Sequence, residues 1–458
     1  MRQSIHPVDH AAFRAVNRCR MMAQAGKGRR GGSMDWRFAL KIGAFLVATA
    51  ALSLLGVNLM PDETDIRRPV PHVVSVSDPA FLRTMHSVFD GNIAGGHAIQ
   101  TLVNGEEIFP PMLEAIEAAE TSINFETYIY WSGEIALRFA NALAAKSREG
   151  VPVRVLVDAV GSLPFDEDII SIMTDAGVVF ERFRPVRWYT LDRVNYRTHR
   201  KLLIVDGRIG FTGGVGIGDE WLGDARNPAE WRDNHYSVEG PVVADMQGAF
   251  AENWLEATGE VLQGDAFYPE LEPAGELLAQ HVKSSPSGGS KSMHQMLLMA
   301  MAGATEHIRI AMAYFVPDDV SIAQLVEARA RGVEVDIIVP SALTDVPIVR
   351  HGSRHFWGEL LEAGVRIHEY QPTMYHPKVL IIDRYWSTIG STNLDERSFR
   401  LNDESNLNVY DETFAQTQID VFDADLALSD EVTLEEWRNR GMWEKTKDWA
   451  ASWFRTQL

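Results

Sequence analysis

Two short stretches of this chain repeat one pattern of residues with the chemistry to attack a phosphodiester. An imidazole can act as a nucleophile or as a general acid and base, and an ammonium group can neutralise a nonbridging phosphate oxygen. One copy would be a weak signal, but two copies indicate a catalytic site. Both have the spacing His-x-Lys-x4-Asp, and their residues are His199, Lys201 and Asp206 in the first and His376, Lys378 and Asp383 in the second.

The downstream copy predicts a β-hairpin with its polar side chains on one face. Side chains two apart in a strand share a face, so His376 and Lys378 would point the same way. With a two-residue turn at 384–385, Ser391 would lie opposite Lys378 and Asn393 opposite His376. Imidazole, ammonium, hydroxyl and amide groups would then lie together.

The upstream copy predicts the same hairpin with one difference. With a turn at 207–208, Gly214 would lie opposite Lys201 and Gly216 opposite His199. Gly216 brings no side chain where the downstream copy has an asparagine. Either the downstream half suffices to bind a phosphate, or a backbone N–H in the Gly-rich run 213–218 substitutes, since glycine lets the backbone approach a ligand closely.

The elements around the motifs also repeat, which predicts a duplicated α/β chain. Two similar domains would face each other across a pseudo-two-fold axis, with the ligand site between them. The predicted elements are strand 123–130, helix 135–148 and strand 151–158 in the first half, and helix 293–304, strand 308–315, helix 322–331 and strand 333–339 in the second.

Two local signals precede the first repeat. Residues 99–103 read as a strand, and Asn104-Gly105 predicts a hairpin turn directly after it. Pro110 and Pro111 are typical of the first turn of a helix, which would continue through Leu113 and Ile116.

The amino-terminal region predicts a membrane anchor. Residues 42–60 contain no charged side chain and are long enough to span a bilayer as one helix. Residues 1–41 carry nine Lys or Arg and two Asp, so the positive-inside rule places them in the cytoplasm and the catalytic part outside. The alternative is a cleaved secretory signal with a site near 48–50.

Composition excludes some classes of protein and site. The formal net charge is −20, and a protein that grips a long nucleic acid needs a basic surface, so no nucleic-acid partner is expected. Cys19 is the one cysteine, which excludes internal disulfides and a cysteine-based metal site. No carboxylate and histidine cluster predicts a metal, and no cofactor is expected.

Beyond the two motifs, longer stretches carry a family resemblance. The chain resembles bacterial cardiolipin synthases of the phospholipase D superfamily over roughly residues 95 to 445. The matching stretches are 124–130, 150–161, 211–214, 364–370, 393–398 and 401–402. The resemblance implies two phospholipase D-like α/β domains, each a mixed sheet flanked by helices, behind one transmembrane helix.

The resemblance also implies the chemistry. A phosphatidyl group from one phosphatidylglycerol would be held as a phosphohistidine and passed to a second, at the outer face of a bacterial inner membrane and without a cofactor. The resemblance to the family also suggests His199 as the nucleophile. An acidic residue downstream of each motif would orient its imidazole, Asp233 for the first copy and Glu404 for the second. Asp206 and Asp383 would close the hairpins and meet nearby donors.

Three other functions remain open from the sequence. A phospholipase D that transfers the phosphatidyl group to water would use the same residues. An endonuclease of the same superfamily fits the motifs but not the acidic balance. A lipid-binding protein without activity is motivated by Gly216.

The predicted organisation is a basic head at 1–41, the anchor at 42–60, a stem at 61–95, domains at 96–256 and 293–458, and a linker at 257–292. The connections 161–192 and 340–355 would form the walls of the site.

Two sets of aromatic residues each have two interpretations. Trp188, Tyr189, Phe356 and Trp357 would line an acyl-chain groove or pack in the core. The carboxyl-terminal segment with Trp437, Trp443, Trp449 and Trp453 would lie on a membrane surface or pack on the second domain.

Overall fold

The computed structural model describes residues 40–45, 48–49, 53, 66–188, 193–286 and 291–458. The helices are α1 Pro79–Val88, α2 Asn104–Ala118, α3 Glu134–Arg148, α4 Glu167–Thr174, α5 Val243–Thr258, α6 Ser292–Ala302, α7 Asp319–Ala330, α8 Pro347–Glu362, α9 Glu396–Arg400, α10 Glu412–Leu426, α11 Leu434–Asn439 and α12 Met442–Ser452.

The strands alternate with these helices. They are β1 Ala94–Val103, β2 Ile123–Thr127, β3 Val153–Asp158, β4 Val179–Phe183, β5 Arg197–Thr198, β6 Leu202–Val205, β7 Ile209–Gly213, β8 Asn234–Glu239, β9 Leu277–Ser284, β10 His307–Met312, β11 Phe315–Val316, β12 Glu334–Pro340, β13 Arg366–Tyr370, β14 Lys378–Ile382, β15 Trp386–Gly390, β16 Leu394–Asp395, β17 Asn402–Tyr410 and β18 Ser429–Glu431.

One large mixed sheet joins both halves of the chain. Its order is β18-β13-β12-β10-β14-β15-β17-β9-β1-β8-β7-β6-β2-β3-β4, and β5 pairs with β17. Read outward from the antiparallel β1–β9 pair, the two halves repeat each other strand for strand, except that β18 at the edge of the second half has no counterpart in the first. The predicted pseudo-two-fold therefore passes between β1 and β9.

The segment predicted as a linker contributes to the middle of this sheet. β9 lies inside residues 257–292 and pairs with β17 on one side and β1 on the other. The two domains thus share one sheet, and residues 61–458 form one compact unit. Both faces of the sheet are covered by helices, and the apolar side chains between strands and helices are buried.

Both catalytic hairpins form, but the predicted register is wrong by one residue. The observed pairs are Ile382 with Trp386 and Val205 with Ile209. Each loop has three residues rather than two because Asp383 and Asp206 adopt left-handed φ values of 56° and 54°. A left-handed residue is typical of three-residue hairpin loops.

The predicted hairpin at Asn104-Gly105 is wrong, because α2 begins there. Asn104 does have a left-handed φ of 59°, so the residue pair correctly indicated an unusual backbone conformation, but that conformation lies between a strand and a helix and not between two strands. A Cβ on Gly105 would lie 1.9 Å from the carbonyl oxygen of Trp221, which explains the glycine. Pro110 and Pro111 lie inside α2 rather than in its first turn.

The predicted membrane helix at 42–60 lies mostly outside the described residues. Of that range the structure describes 42–45, 48–49 and 53. Within the described part of the chain, no helix has the length and apolarity needed to cross a membrane.

The carboxyl-terminal segment packs on the second half of the chain. Asp448 of α12 is buried and accepts hydrogen bonds from His351 of α8, at 2.8 Å, and from Arg440. Trp437 donates to the carbonyl of Arg354. The outward face of α12 remains exposed, with Trp443 70% accessible.

Candidate active site

Each catalytic imidazole is hydrogen-bonded to the acidic residue of the opposite half. His199 Nδ1 lies 3.0 Å from Glu404 Oε1, and His376 Nδ1 lies 2.7 Å from Asp233 Oδ2. The prediction paired Asp233 with the first motif and Glu404 with the second, so that pairing is wrong. The exchange of partners brings both motifs into one site.

Backbone pairing between the halves produces this exchange. β5 lies parallel to β17, and the N–H of His199 donates to the carbonyl of Asp403 at 2.9 Å. On the other side the N–H of His376 donates to the carbonyl of Arg232 at 2.8 Å. Each histidine is therefore positioned beside the acid-bearing segment of the other half.

Two arginines hold these backbones together. Arg200, the middle residue of the first His-x-Lys, is fully buried and donates to the carbonyls of Glu404 and Ser284. Arg232 forms a bidentate pair with Asp425, at 2.8 and 2.9 Å. Sequence reasoning missed both, because Arg200 stands at the variable position of its motif and Arg232 lies outside the motifs, so neither arginine carries a signal of its own.

The two carboxylates are supported differently. Glu404 Oε2 accepts from Ser391 Oγ at 2.5 Å, and Asn402 donates to Oε1. Asp233 Oδ2 accepts from Trp221 Nε1 at 2.9 Å. Trp221 thus supplies the donor that Ser391 supplies in the other half, and no spacing in the sequence predicts this role.

Two glycines make room for the first half of the site. A Cβ on Gly214 would lie 2.2 Å from Asp233 Oδ1, and one on Gly216 would lie 2.8 Å from Ile129 Cβ. Of the backbone donors predicted to replace an asparagine at 216, the N–H of Gly214 already donates to Asn234 and that of Ile217 to Ile129. Those two groups are not available to a phosphate.

The lysines of both motifs lie beside their own histidines. Lys201 Nζ donates to the carbonyl of His199 at 2.8 Å, and Lys378 Nζ to that of His376 at 2.5 Å. Burial and the charge of Lys378 lower the pKa of Lys201 to about 7. Burial lowers the pKa of Lys378 to about 8. A bound anion would favour the charged form of both lysines, so the site is suited to bind a phosphate.

Burial makes both imidazoles less basic than a free histidine. Burial, opposed in part by Glu404, lowers the pKa of His199 to about 4. Burial and Lys378 also lower the pKa of His376, against the raising effect of Asp233. Burial raises the pKa of both carboxyls, but the imidazoles and lysines outweigh it, so the pKa values of Glu404 and Asp233 are lowered. Each ionised carboxylate then accepts Nδ1–H and leaves Nε2 as the reactive nitrogen.

Aromatic rings surround both histidines. The Tyr128 ring lies 5.4 Å from that of His199, edge-on. Trp221, Trp231 and Tyr314 lie within 5.5 to 6.1 Å of the His376 ring. These rings exclude water from the reacting nitrogens. Their positions depend on tertiary packing and were not predicted.

The remaining predicted residues divide into two groups. Asn393 is buried beside the site, where its Oδ1 accepts the N–H of Tyr314 at 3.4 Å. Asp206 accepts the backbone N–H groups of 120–122, and Asp383 those of 305–307. These aspartates lie at the ends of the hairpins opposite the histidines and hold the hairpin loops to the segments where β2 and β10 begin.

One group of described residues has side chains placed to hold a metal ion. His307, Glu334 and Asp336 have ligand atoms within 4.8 Å of one another. The Arg366 guanidinium already pairs with both carboxylates, at 2.9 and 2.6 Å. His307 is also the first residue of β10, whereas the catalytic lysine pairs with the last. This group is therefore separate from the site.

Comparison with known proteins agrees with this geometry. The family model described as "Cardiolipin synthase, PLD-like domain" matches residues 112–227 and 297–426, more than half of the chain. One match covers each histidine motif. The chain belongs to the cardiolipin synthase family, phosphatidyltransferases of the phospholipase D superfamily.

Relatives within the cardiolipin synthase family cover most of this chain. Cardiolipin synthase 2 of Bacillus anthracis is 36% identical over 352 residues, which is 76% of this chain and 68% of that protein. Cardiolipin synthase A of Pseudomonas fluorescens is 37% identical over 360 residues, 78% of this chain and 74% of that protein. The fold is shared with phosphatidylserine synthase of Haemophilus influenzae, with a TM-score of 0.62, 14% identity, and coverage of 83% of this chain and 99% of that one.

Proposed function

We propose that this chain makes cardiolipin from two molecules of phosphatidylglycerol. The observation that carries the proposal is the crossed pairing of His199 with Glu404 and of His376 with Asp233. It gives one site two imidazoles, each held by a carboxylate at Nδ1, so that Nε2 is left for the reaction; Lys378 Nζ lies 3.1 Å from the Nε2 of His376. Membership of the cardiolipin synthase family supports the choice of substrate.

In the first step, His199 Nε2 attacks the phosphorus of phosphatidylglycerol. The bond from phosphorus to the headgroup glycerol oxygen breaks, and His376 donates a proton to that oxygen. His199 takes the role of nucleophile by resemblance to the family. Burial lowers the pKa of both imidazoles, so each has a free lone pair and the pKa values do not assign the roles. The bound phosphodiester adds negative charge that raises the pKa of His376, which favours its acid form.

In the second step, neutral His376 takes the proton from a headgroup hydroxyl of the second phosphatidylglycerol. That oxygen attacks phosphorus, the nitrogen–phosphorus bond breaks, and His199 is regenerated. The products are cardiolipin and free glycerol, so the transfer balances without an oxidant or a reductant.

Lys201 and Lys378 neutralise the nonbridging oxygens throughout. The Nδ2 end of Asn393 is an additional donor, because Oδ1 is used by Tyr314. Hydrogen bonds to charged groups contribute on the order of 1.5–3 kcal/mol each. Only the second half supplies an amide side chain here, since Gly216 stands in the first.

The deciding assay is incubation of the purified protein with phosphatidylglycerol. We expect cardiolipin and glycerol, and no product from His199→Ala. Phosphatidic acid as the sole product would instead establish a phospholipase D. A phosphorylated peptide containing residue 199, trapped by acid-free quench and located by mass spectrometry, would identify the nucleophile; phosphate on residue 376 would reverse the two roles.

We further propose that residues 42–60 anchor the chain in the bacterial inner membrane with the catalytic part outside. The uncharged stretch and the basic residues before it support this topology. The protein should resist extraction by alkaline carbonate, and protease added to spheroplasts should digest the catalytic part. Release by carbonate alone would refute the anchor.

A further inference from the structure

Each catalytic motif lies at the carboxyl end of a neighbouring strand in its own half of the chain. Glu126, near the carboxyl end of β2, pairs with Leu202 just after the first motif. Met312, at the carboxyl end of β10, pairs with Lys378. Strands β3, β4, β12 and β13 run parallel to these neighbours. These are two sets of three parallel strands, and the crossed pairs of His199 with Glu404 and of His376 with Asp233 bring the carboxyl ends of both sets to one site. We call the surface formed by these carboxyl ends the catalytic edge.

Loops at the catalytic edge expose large apolar side chains. In the first half Leu163, after β3, is 74% accessible, and Val186, after β4, is 55% accessible. In the second half Leu343 and Ile348, after β12, are 39% and 43% accessible. These are the connections that were expected to wall the site. The four apolar side chains named here are exposed to solvent, whereas Phe165 and Val349 of the same connections are buried.

The carboxyl terminus adds aromatic side chains to the same edge. Arg455 pairs with Asp319, just beyond β11, at 2.6 Å, and Asn195 donates to Gln457 at 2.9 Å. These contacts hold the terminus beside the loop that leads into the first motif. The adjacent Trp453 and Phe454 are 67% and 50% accessible.

A cationic cleft opens at this edge. It has a volume of about 530 Å³, and Val186 lies on its wall. Arg182, Arg184 and Arg197 each pair with a carboxylate, and five arginines line the cleft against three glutamates. The arginines that line it are Arg182, Arg184, Arg187, Arg193 and Arg197. Such local positive charge is notable in a chain whose formal net charge is −20.

We propose that the catalytic edge is the surface by which the catalytic unit docks on an anionic phospholipid bilayer. The proposal rests on the function proposed above, because the substrates are then lipids of that bilayer. Exposed tryptophan and aliphatic side chains beside arginine are typical of surfaces that insert into the headgroup region of anionic membranes. Docking at this edge lets a headgroup reach both histidines while its acyl chains stay in lipid.

The test is a fluorescent label at chosen single positions of the full chain. In a Cys19→Ser background, a cysteine replaces Leu163, Trp453 or Val179 and carries an environment-sensitive dye. Val179 is the matched control, since it is 47% accessible but is the first residue of β4, at the opposite edge. The probes are vesicles of phosphatidylglycerol with phosphatidylcholine, vesicles of phosphatidylcholine alone, and brominated lipids as quenchers.

With anionic vesicles, we expect blue-shifted emission and quenching by brominated lipid at positions 163 and 453 but not at 179. The comparison does not depend on how the chain is tethered, because all three proteins share the same amino-terminal region. Equal responses at all three positions, or none while the protein is vesicle-bound, would overturn the proposal. A shift that follows protein concentration without lipid would point to self-association and would equally overturn it.

Wild-type protein provides an independent measurement. Hydrogen exchange should slow in 159–166 and 449–458 on addition of anionic vesicles, and not in 175–179. Unchanged exchange at the catalytic edge would contradict docking even if a labelled variant failed to fold. Cardiolipin formation in detergent micelles tests the proposed function separately, because it does not require a bilayer.

Discussion

His199 Nδ1 lies 3.0 Å from Glu404 Oε1, across the boundary between the two halves of the chain. The carboxylate stabilises positive charge on the imidazole as the nitrogen–phosphorus bond forms. Glu404→Gln should therefore lower kcat/KM for cardiolipin formation by about 10²-fold or more. The control is Glu149→Gln, whose carboxylate pairs with Lys146 at the surface, away from the site, and should change the rate little. Similar rates for both variants would remove Glu404 from the mechanism.

The division of labour between the histidines predicts a selective rescue. His376→Asn removes the acid that protonates the departing oxygen, so a substrate with a nitrophenolate leaving group should recover much of the first-step rate. His199→Asn should recover none, because the nucleophile itself is missing. The release of nitrophenolate in a single turnover measures this. Rescue of the residue 199 variant instead would exchange the two roles.

Trp221 is predicted to act through its N–H rather than through its ring alone. Trp221→Phe keeps most of the packing but leaves buried Asp233 Oδ2 without one donor, a loss of about 1–3 kcal/mol. We expect kcat/KM to fall about tenfold or more. Trp254→Phe removes a comparable bond, to Glu260, away from the site and should leave kcat/KM unchanged. Equal kinetic losses in both variants would indicate a general effect on folding.

Gly214 is predicted to be required for the position of Asp233. In Gly214→Ala the new methyl group would displace the carboxylate from His376, so activity should fall at least tenfold and thermal stability should drop. Gly248→Ala, in α5 with no atom within 4 Å of the new Cβ, should stabilise the protein by about 0.5–1 kcal/mol. Activity and melting temperature measured together separate the two cases; wild-type kinetics in Gly214→Ala would contradict the steric argument.

The pH profile should reflect the buried lysines. Both must be protonated to hold the phosphate, and burial lowers their pKa values to about 7 and about 8. Thus kcat/KM, which reports the free enzyme, should decline as the pH rises through this range. Lys378→Arg stays charged, so the ionisation near pH 8 should disappear from that decline and only the one near pH 7 should remain. On the acid side the rate should fall near pH 4 as His199 is protonated; a level profile up to about pH 9 would exclude these groups.

Much of the fold follows from local sequence patterns. The repeated strand and helix order, the two hairpins and the basic pairs of His199 with Lys201 and His376 with Lys378 all depend on periodicity and short spacings. The one-residue error in the hairpin register shows that residue spacing alone does not determine the length of the loop. Whether Asp383 adopts a left-handed conformation depends on the backbone amides of 305–307, which are distant in sequence.

The sequence by itself determined which groups are available: two imidazoles, two ammonium groups, two acids, and a duplication that must bring them into similar settings. The tertiary structure alone decided which acid serves which imidazole, because β5 and β17 pair across the halves and direct each carboxylate to its neighbour's ring. It also decided the pKa values and the role of Trp221, since burial and contact between distant segments exist only once the chain has folded.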